Sequence, residues 1–336
     1  MKYLLLIFFI LFCNAKIFAN TLEERCVSEF NKDLILKSYD QVFKNNEIKK
    51  EKDLRNKYDS LLSDNINQAY DIAFQLYDQL IYLYGYCDYK SYSFRRDFLY
   101  DLFSLEKKYP EAIDFLLNDK KRIENILGNN NEYYLKVIND LGIQYSFNQD
   151  FENSLKYLEE NYELSFKLYD KYDHNTISAV SWYTGSLIDN KIFNKTNKLL
   201  DEYEKYLKKI LYDPNSVKSK TLEDWKRNYL HSLHFDLINK QIRSKKEEGD
   251  ILEAYNKCIY HKDTSINYKD VLYHYYGTYY ICKDIYFLLE KYNEISEILI
   301  ISQNNIIEKH GEISNENLSI VEELHQFYLS LNDFEK

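Results

Sequence analysis

Glycine and proline are scarce, with 7 and 2 residues in a chain of 336. Sandwiches, barrels and series of βα loops need such punctuation at their turns, so most β-rich architectures are excluded. A glycine-rich phosphate cradle is excluded on the same ground. The chain also lacks a His-Glu-x-x-His helix, a Gly-x-x-x-x-Gly-Lys loop and a Gly-x-Ser-x-Gly elbow, the arrangements that zinc hydrolysis, nucleotide binding and serine catalysis require. Lys and Arg number 44 against 54 Asp and Glu, a formal charge of −10. A surface that acidic repels phosphate and argues against nucleic acid or an anionic membrane as partner. Tyrosine (35) and phenylalanine (19) are abundant within an apolar share of 45%, enough for a core filled largely by aromatic rings. The makeup predicts an all-α protein, and the missing motifs predict one with no catalytic residues, no cofactor and no metal.

An apolar run from Tyr3 to Cys13 follows Lys2 and is broken by Asn14 and Lys16. At about ten residues it is too short for the roughly twenty that a membrane-spanning helix needs, and its form is that of a secretory signal. Residues 1–19 are read as a signal peptide cut after Ala19, leaving no membrane span and directing the chain to the periplasm or medium if it is bacterial. Phe12 is too bulky for a lipoprotein attachment at Cys13. Four cysteines remain: Cys26, Cys87, Cys258 and Cys282. They permit two disulfides in three connectivities, with local pairing within each half, and packed free thiols are the favoured expectation.

A short signature recurs: an aromatic or Ile, two mostly polar residues, then usually a small residue, opening an amphipathic run. Its first positions are Ile66, Tyr109, Phe151, Phe193, Ile251, Tyr292 and Phe334, at intervals of 43, 42, 42, 58, 41 and 42. The unit opened by Phe151 carries Leu155, Leu158 and Tyr162 in a 4-3-4 step, one stripe of a helix. A second helical run precedes each anchor, as from Tyr134 to Phe147, with turn residues such as Asn148-Gln149-Asp150 between. Neither helix can bury its stripe alone, so successive hairpins must stack into one core. The long interval places a lengthened connection near 212–225, with a longer first helix as the competing explanation. The array is assigned to 61–336, and 20–60 to capping or degenerate helices.

Leu141-Gly142, Tyr145, Phe151, Ser154 and Leu158 match in order the Leu-Gly, Tyr, large-apolar, small and leucine positions of tetratricopeptide repeats. The chain resembles that family in the 42-residue form of kinesin light chain. The inter-repeat loop is echoed by Leu127-Gly128-Asn129-Asn130 and Asp173-His174-Asn175-Thr176, although the loop proline is missing throughout. The resemblance implies a right-handed superhelical solenoid of antiparallel helix pairs whose first helices line a concave, peptide-binding face. Carried over position by position, it places there Asp97 with Asp101, Asn139 with Ile143, Trp182 with Ser186, Asn239 with Arg243, Tyr280 with Asp284, and Glu322 with Gln326. These are mostly acidic or neutral, so the expected partner is a protein or peptide of basic or amphipathic character.

Cys258, His261, His274 and Cys282 form one metal-like set. Cys258 and His261 could share an ion, but His274 and Cys282 stand eight apart on the next helix, about 12 Å along its axis, too far for one tetrahedral centre. The tyrosines from Tyr273 to Tyr280 fall on more than one helix face and are read as packing. The function expected is an exported, non-enzymatic interaction scaffold. The rivals are the regulatory front of a larger caspase-like (CHAT) protease and, behind it, a metal-binding enzyme.

Overall fold

A computed structural model describes residues 41–62, 65–104, 107–213, 223–266, 273–310 and 314–334. The signal peptide and Cys26 lie outside the described residues, as does most of the 212–225 connection. All regular structure among the described residues is α-helix. The helices are α1 (Gln41–Leu62), α2 (Ile66–Tyr84), α3 (Tyr89–Ser104), α4 (Tyr109–Leu127), α5 (Glu132–Phe147), α6 (Phe151–Leu168) and α7 (His174–Asp189). They continue as α8 (Phe193–Tyr212), α9 (Asp224–Glu248), α10 (Ile251–Ile266), α11 (Tyr273–Leu288), α12 (Tyr292–His310) and α13 (Asn315–Phe334). The chain divides into two compact units at Asp150 and Phe151.

Six of the recurring anchor residues are each the first residue of a helix, from Ile66 of α2 to Tyr292 of α12. Three positions on, Ala69, Ala112, Ser154, Thr196, Ala254 and Ile295 are all fully buried. The signature therefore marks both where the second helix of a pair starts and where it presses on its neighbours.

The backbone repeats as well. Two residues before an anchor, Lys107, Gln149, Lys191, Gly249 and Glu290 all have positive φ. In four of these turns the same two bonds close the preceding helix. After α7, Ile192 N–H donates to the Leu187 carbonyl and Lys191 N–H to Ile188. After α9, Asp250 donates to Lys245 and Gly249 to Lys246, and the turns after α5 and α11 do likewise. This is the Schellman closure, which leaves its C′ residue left-handed and satisfies the last carbonyls. Other ends have other caps. Asn131 accepts from the N–H groups of Tyr133 and Tyr134 at the start of α5, and Asp173 accepts from Asn175 at the start of α7.

In the first unit each helix packs on the next along the chain. Tyr58, Phe94, Phe98 and Phe115 are buried together, with Phe98 and Phe115 edge-to-face at 5.2 Å, a favoured aromatic geometry. This core also holds charge. Asp119 accepts from Tyr77 and Tyr86 hydroxyls at 3.1 and 2.8 Å. Buried Arg95 reaches Asp119 at 3.8 Å and Asp140 at 3.1 Å. Burial pushes the pKa of both carboxyls up, against the pull of Arg95.

In the second unit sequential helices again pack together, and α7 also lies against α9, and α9 against α11. That makes a row of first helices. At Gly185 on α7 an added Cβ would stand 3.3 Å from Cε of Lys240 on α9, so the small residue sets a close approach. The surplus of the 58-residue interval goes mainly into α9, which has 25 residues against 16 in α3, α5, α7 and α11. No glycine or proline interrupts α9 before Gly249.

The expectation of free thiols fails for Cys87, Cys258 and Cys282. Cys258 of α10 and Cys282 of α11 are joined in a disulfide, their Cα atoms 5.9 Å apart. Both face the core that α9 to α13 share and are fully buried. Cys87 is disulfide-bonded too.

Candidate functional site

Along the row of α7, α9 and α11, a groove of about 530 Å³ lies between α9 and α11, lined by Asn239, Lys240, Ile242, Arg243, Lys246, Glu247 and Ile281. Asn239, Arg243 and Lys246 follow the i, i+4, i+7 step that keeps residues on one helix face. Ile281 is partly exposed and gives the groove its accessible apolar surface, while Ile242 beneath is fully buried in the core.

Charges across the groove are matched between helices. Arg243 donates from Nη2 to Oδ1 of Asp189 on α7 at 2.5 Å and from Nε to Glu247 at 2.8 Å. Partial burial opposes the Arg243 charge, but the hydrogen bond and charge of Asp189 outweigh it and hold its pKa above the ordinary value. Lys246 reaches Asp284 of α11 at 2.7 Å. Lys240 bonds both carboxylate oxygens of Asp236 at 2.7 Å, and its ammonium lies 6.0 Å from the ring centroid of Trp182. Tyr280 donates to Glu323 of α13 at 3.0 Å.

Four of the residues expected on the binding face meet at this groove or on its partners. Asn239 and Arg243 line it, Asp284 pairs with a lining lysine, and Trp182, 40% exposed, stands beside another. Tyr280 is also exposed. Ser186 is a correction: it is buried at 2%, because α7 is covered by α6, α8 and α9, and its side chain offers nothing to a partner. Beside Arg243, which already stood in the mostly acidic or neutral set expected on the face, Lys240 and Lys246 also enter the groove. Lys240 and Lys246 were missed because anchor counting picks one pair per unit. The continuation of Asn239 and Arg243 to Lys246 at i+7 was the available signal.

In the first unit, Ile143 lines a smaller pocket of about 180 Å³ between α3 and α5, with Tyr92, Arg95, Arg96, Leu99, Asp140 and Gln144. Asp97 is exposed beside this pocket but pairs with its own neighbour Arg96 at 2.9 Å. Asn139 is half-buried, and the side chain of Asp101 lies outside the described residues. Glu322 and Gln326 are exposed on α13.

The disulfide takes both sulfurs of the metal-like set, so neither Cys258 nor Cys282 is a thiolate ligand. Among the described residues no group of three or more His, Cys, Asp or Glu side chains is placed to hold a metal ion, and no helix is long and apolar enough to cross a membrane. No protein-family model matches the chain, and no curated protein matches it.

Proposed function

We propose that the chain is an exported, non-enzymatic scaffold that holds a peptide or protein segment in the groove between α9 and α11. The observation that carries this reading is the groove itself: a channel with the partly exposed Ile281 in its wall, exposed Trp182 beside its Lys240, and exposed Tyr280 next to Ile281 in sequence. Exposed aromatics beside an apolar surface are a usual make-up of peptide-anchoring sites. The recurring left-handed turn, the buried fourth position and the Leu141-Gly142 unit support a tetratricopeptide-type, right-handed stacking of the helix pairs within each unit. The leader-like front and the Cys258–Cys282 disulfide both fit an oxidising, extracytoplasmic compartment.

The partner is an amphipathic peptide with basic residues. Lys240, Arg243 and Lys246 already have carboxylate partners, and the exposed carboxylate of Asp284, bound by Lys246 through one oxygen, can take a second cation. An apolar side chain of the ligand faces Ile281. Affinity capture from the native envelope or culture medium tests this. A stoichiometric partner recovered by the parent protein is lost with Trp182→Ala and with Asp284→Lys. Equal recovery by both variants refutes the groove as the binding face.

A further inference from the structure

A second, larger cleft opens in the same unit where α7 and α9 begin, with a volume of about 680 Å³. Its walls are the turn between α6 and α7, the C-terminal half of α8 and the first turn of α9. It shares no lining residue with the groove described above. Two properties of the cleft bear on what it could hold.

The first is an exposed aromatic platform. Trp225 is 58% exposed, yet its ring is fixed from two sides. Its Nε1 donates to Glu223, and the His174 ring meets it perpendicularly at 6.1 Å. Tyr172 and Tyr206 form a parallel stack at 4.0 Å nearby, with Tyr172 itself well exposed. Indole surface left in water forfeits about 25 cal/mol for each Å² that burial would have gained, which a ligand laid on the Trp225 face would recover.

The second is a nearly balanced set of charges. Asp170, Asp173 and Glu223 line the cleft with Lys171 and Lys226. Carboxylates outnumber ammoniums, which disfavours a phosphate or sulfate in a chain already at −10. A small organic cation fits no better. The Tyr172 ring already has the Lys171 ammonium 5.4 Å from its centroid, and its stack on Tyr206 leaves no gap between the two rings.

An uncharged molecule with apolar faces and a rim of hydroxyls matches both properties. The C–H faces of a sugar ring lie flat on indole or phenol, and each hydroxyl can donate to a carboxylate and accept from an ammonium. The cleft volume falls within the roughly 300–1,000 Å³ of small-ligand sites. We infer that the cleft binds a neutral oligosaccharide, with Trp225 as the stacking platform and Tyr172 as the second ring contact.

The chain has two tryptophans, so Trp182→Phe makes Trp225 the sole indole reporter. This variant is titrated with maltotriose, cellotriose and chitotriose, and separately with choline chloride and inorganic phosphate. The expected result is a saturable change in Trp225 emission with at least one sugar, with a Kd of about 1 mM. Tyr172→Ala weakens it by about tenfold or more, and neither choline nor phosphate saturates. Calorimetry on an otherwise native Trp225→Ala protein, shown folded by circular dichroism, loses the same sugar heat while partner capture through the groove persists. No saturation with any of the three sugars, or saturation by choline or phosphate, overturns the proposal.

Discussion

Lys191 and Glu290 stand in different turns yet share one backbone state, with φ of 59° and 55°, each two residues before the aromatic that opens the next helix. Gly249 holds the corresponding place after α9 at φ 91°. A side chain in the left-handed region costs about 1–2 kcal/mol, which glycine avoids at an entropic cost of about 0.5–1 kcal/mol. Lys191→Gly and Glu290→Gly are therefore each expected to raise the melting temperature by about 1–3 °C, and Gly249→Ala to lower it. Differential scanning calorimetry of the three variants checks the signs.

The disulfide between Cys258 and Cys282 closes a loop of 24 residues. A cross-link over that span stabilises by about 3 kcal/mol, mainly by restricting the unfolded chain. The double variant Cys258→Ala/Cys282→Ala is expected to lose about that much in urea denaturation. Because the bond is fully buried, a mild reductant should attack it in the native protein only at the rate of local opening, which thiol labelling over time measures.

Stability should also fall on mild acidification, through His234. This ring is fully buried, with Nδ1 2.9 Å from the Tyr212 hydroxyl. Burial above all, then Lys208 and His231, lower its pKa to about 4 against the opposing pull of Glu204. The unfolded chain takes up a proton near pH 6.5 and the folded one only near pH 4. The contribution is whole above pH 6.5 and is lost as pH falls towards 4, a total of about 3 kcal/mol. His234→Gln should flatten this part of the stability–pH curve, measured by urea titration at each pH.

Arg95 neutralises buried Asp119 and half-buried Asp140 at once. Arg95→Met leaves Asp119 and Asp140 without their cation and is expected to cost about 3–5 kcal/mol. Part of that loss should return at low pH, where the carboxyls protonate. A loss that does not depend on pH would mean that Arg95 acts through packing alone.

The helical pairs were legible because their marks are local. Ile66, Tyr109, Phe151, Phe193, Ile251 and Tyr292 each combine a large apolar side chain with a turn before it, and each opens a helix. The buried fourth position follows from the same signature. What depends on which faces meet was not legible. Ser186 has the spacing of a lining residue but sits where three helices cover α7, and no count along one helix shows that. Cys258 and Cys282 lie on separate helices, so their pairing needs the rotation of both. Lys240 and Lys246 look like surface charge in the sequence, and only the packing of α7 and α11 on α9 turns them into a groove wall.

The central claim concerns where a partner sits, and site-resolved crosslinking tests it most directly. A photoreactive residue is placed at Ile281 in the groove and, as a control, at Leu252, an exposed position on α10. In the native host, position 281 should give one dominant peptide adduct that Trp182→Ala abolishes, while position 252 gives none. Adducts equally frequent at both positions, or at 252 alone, would contradict the account.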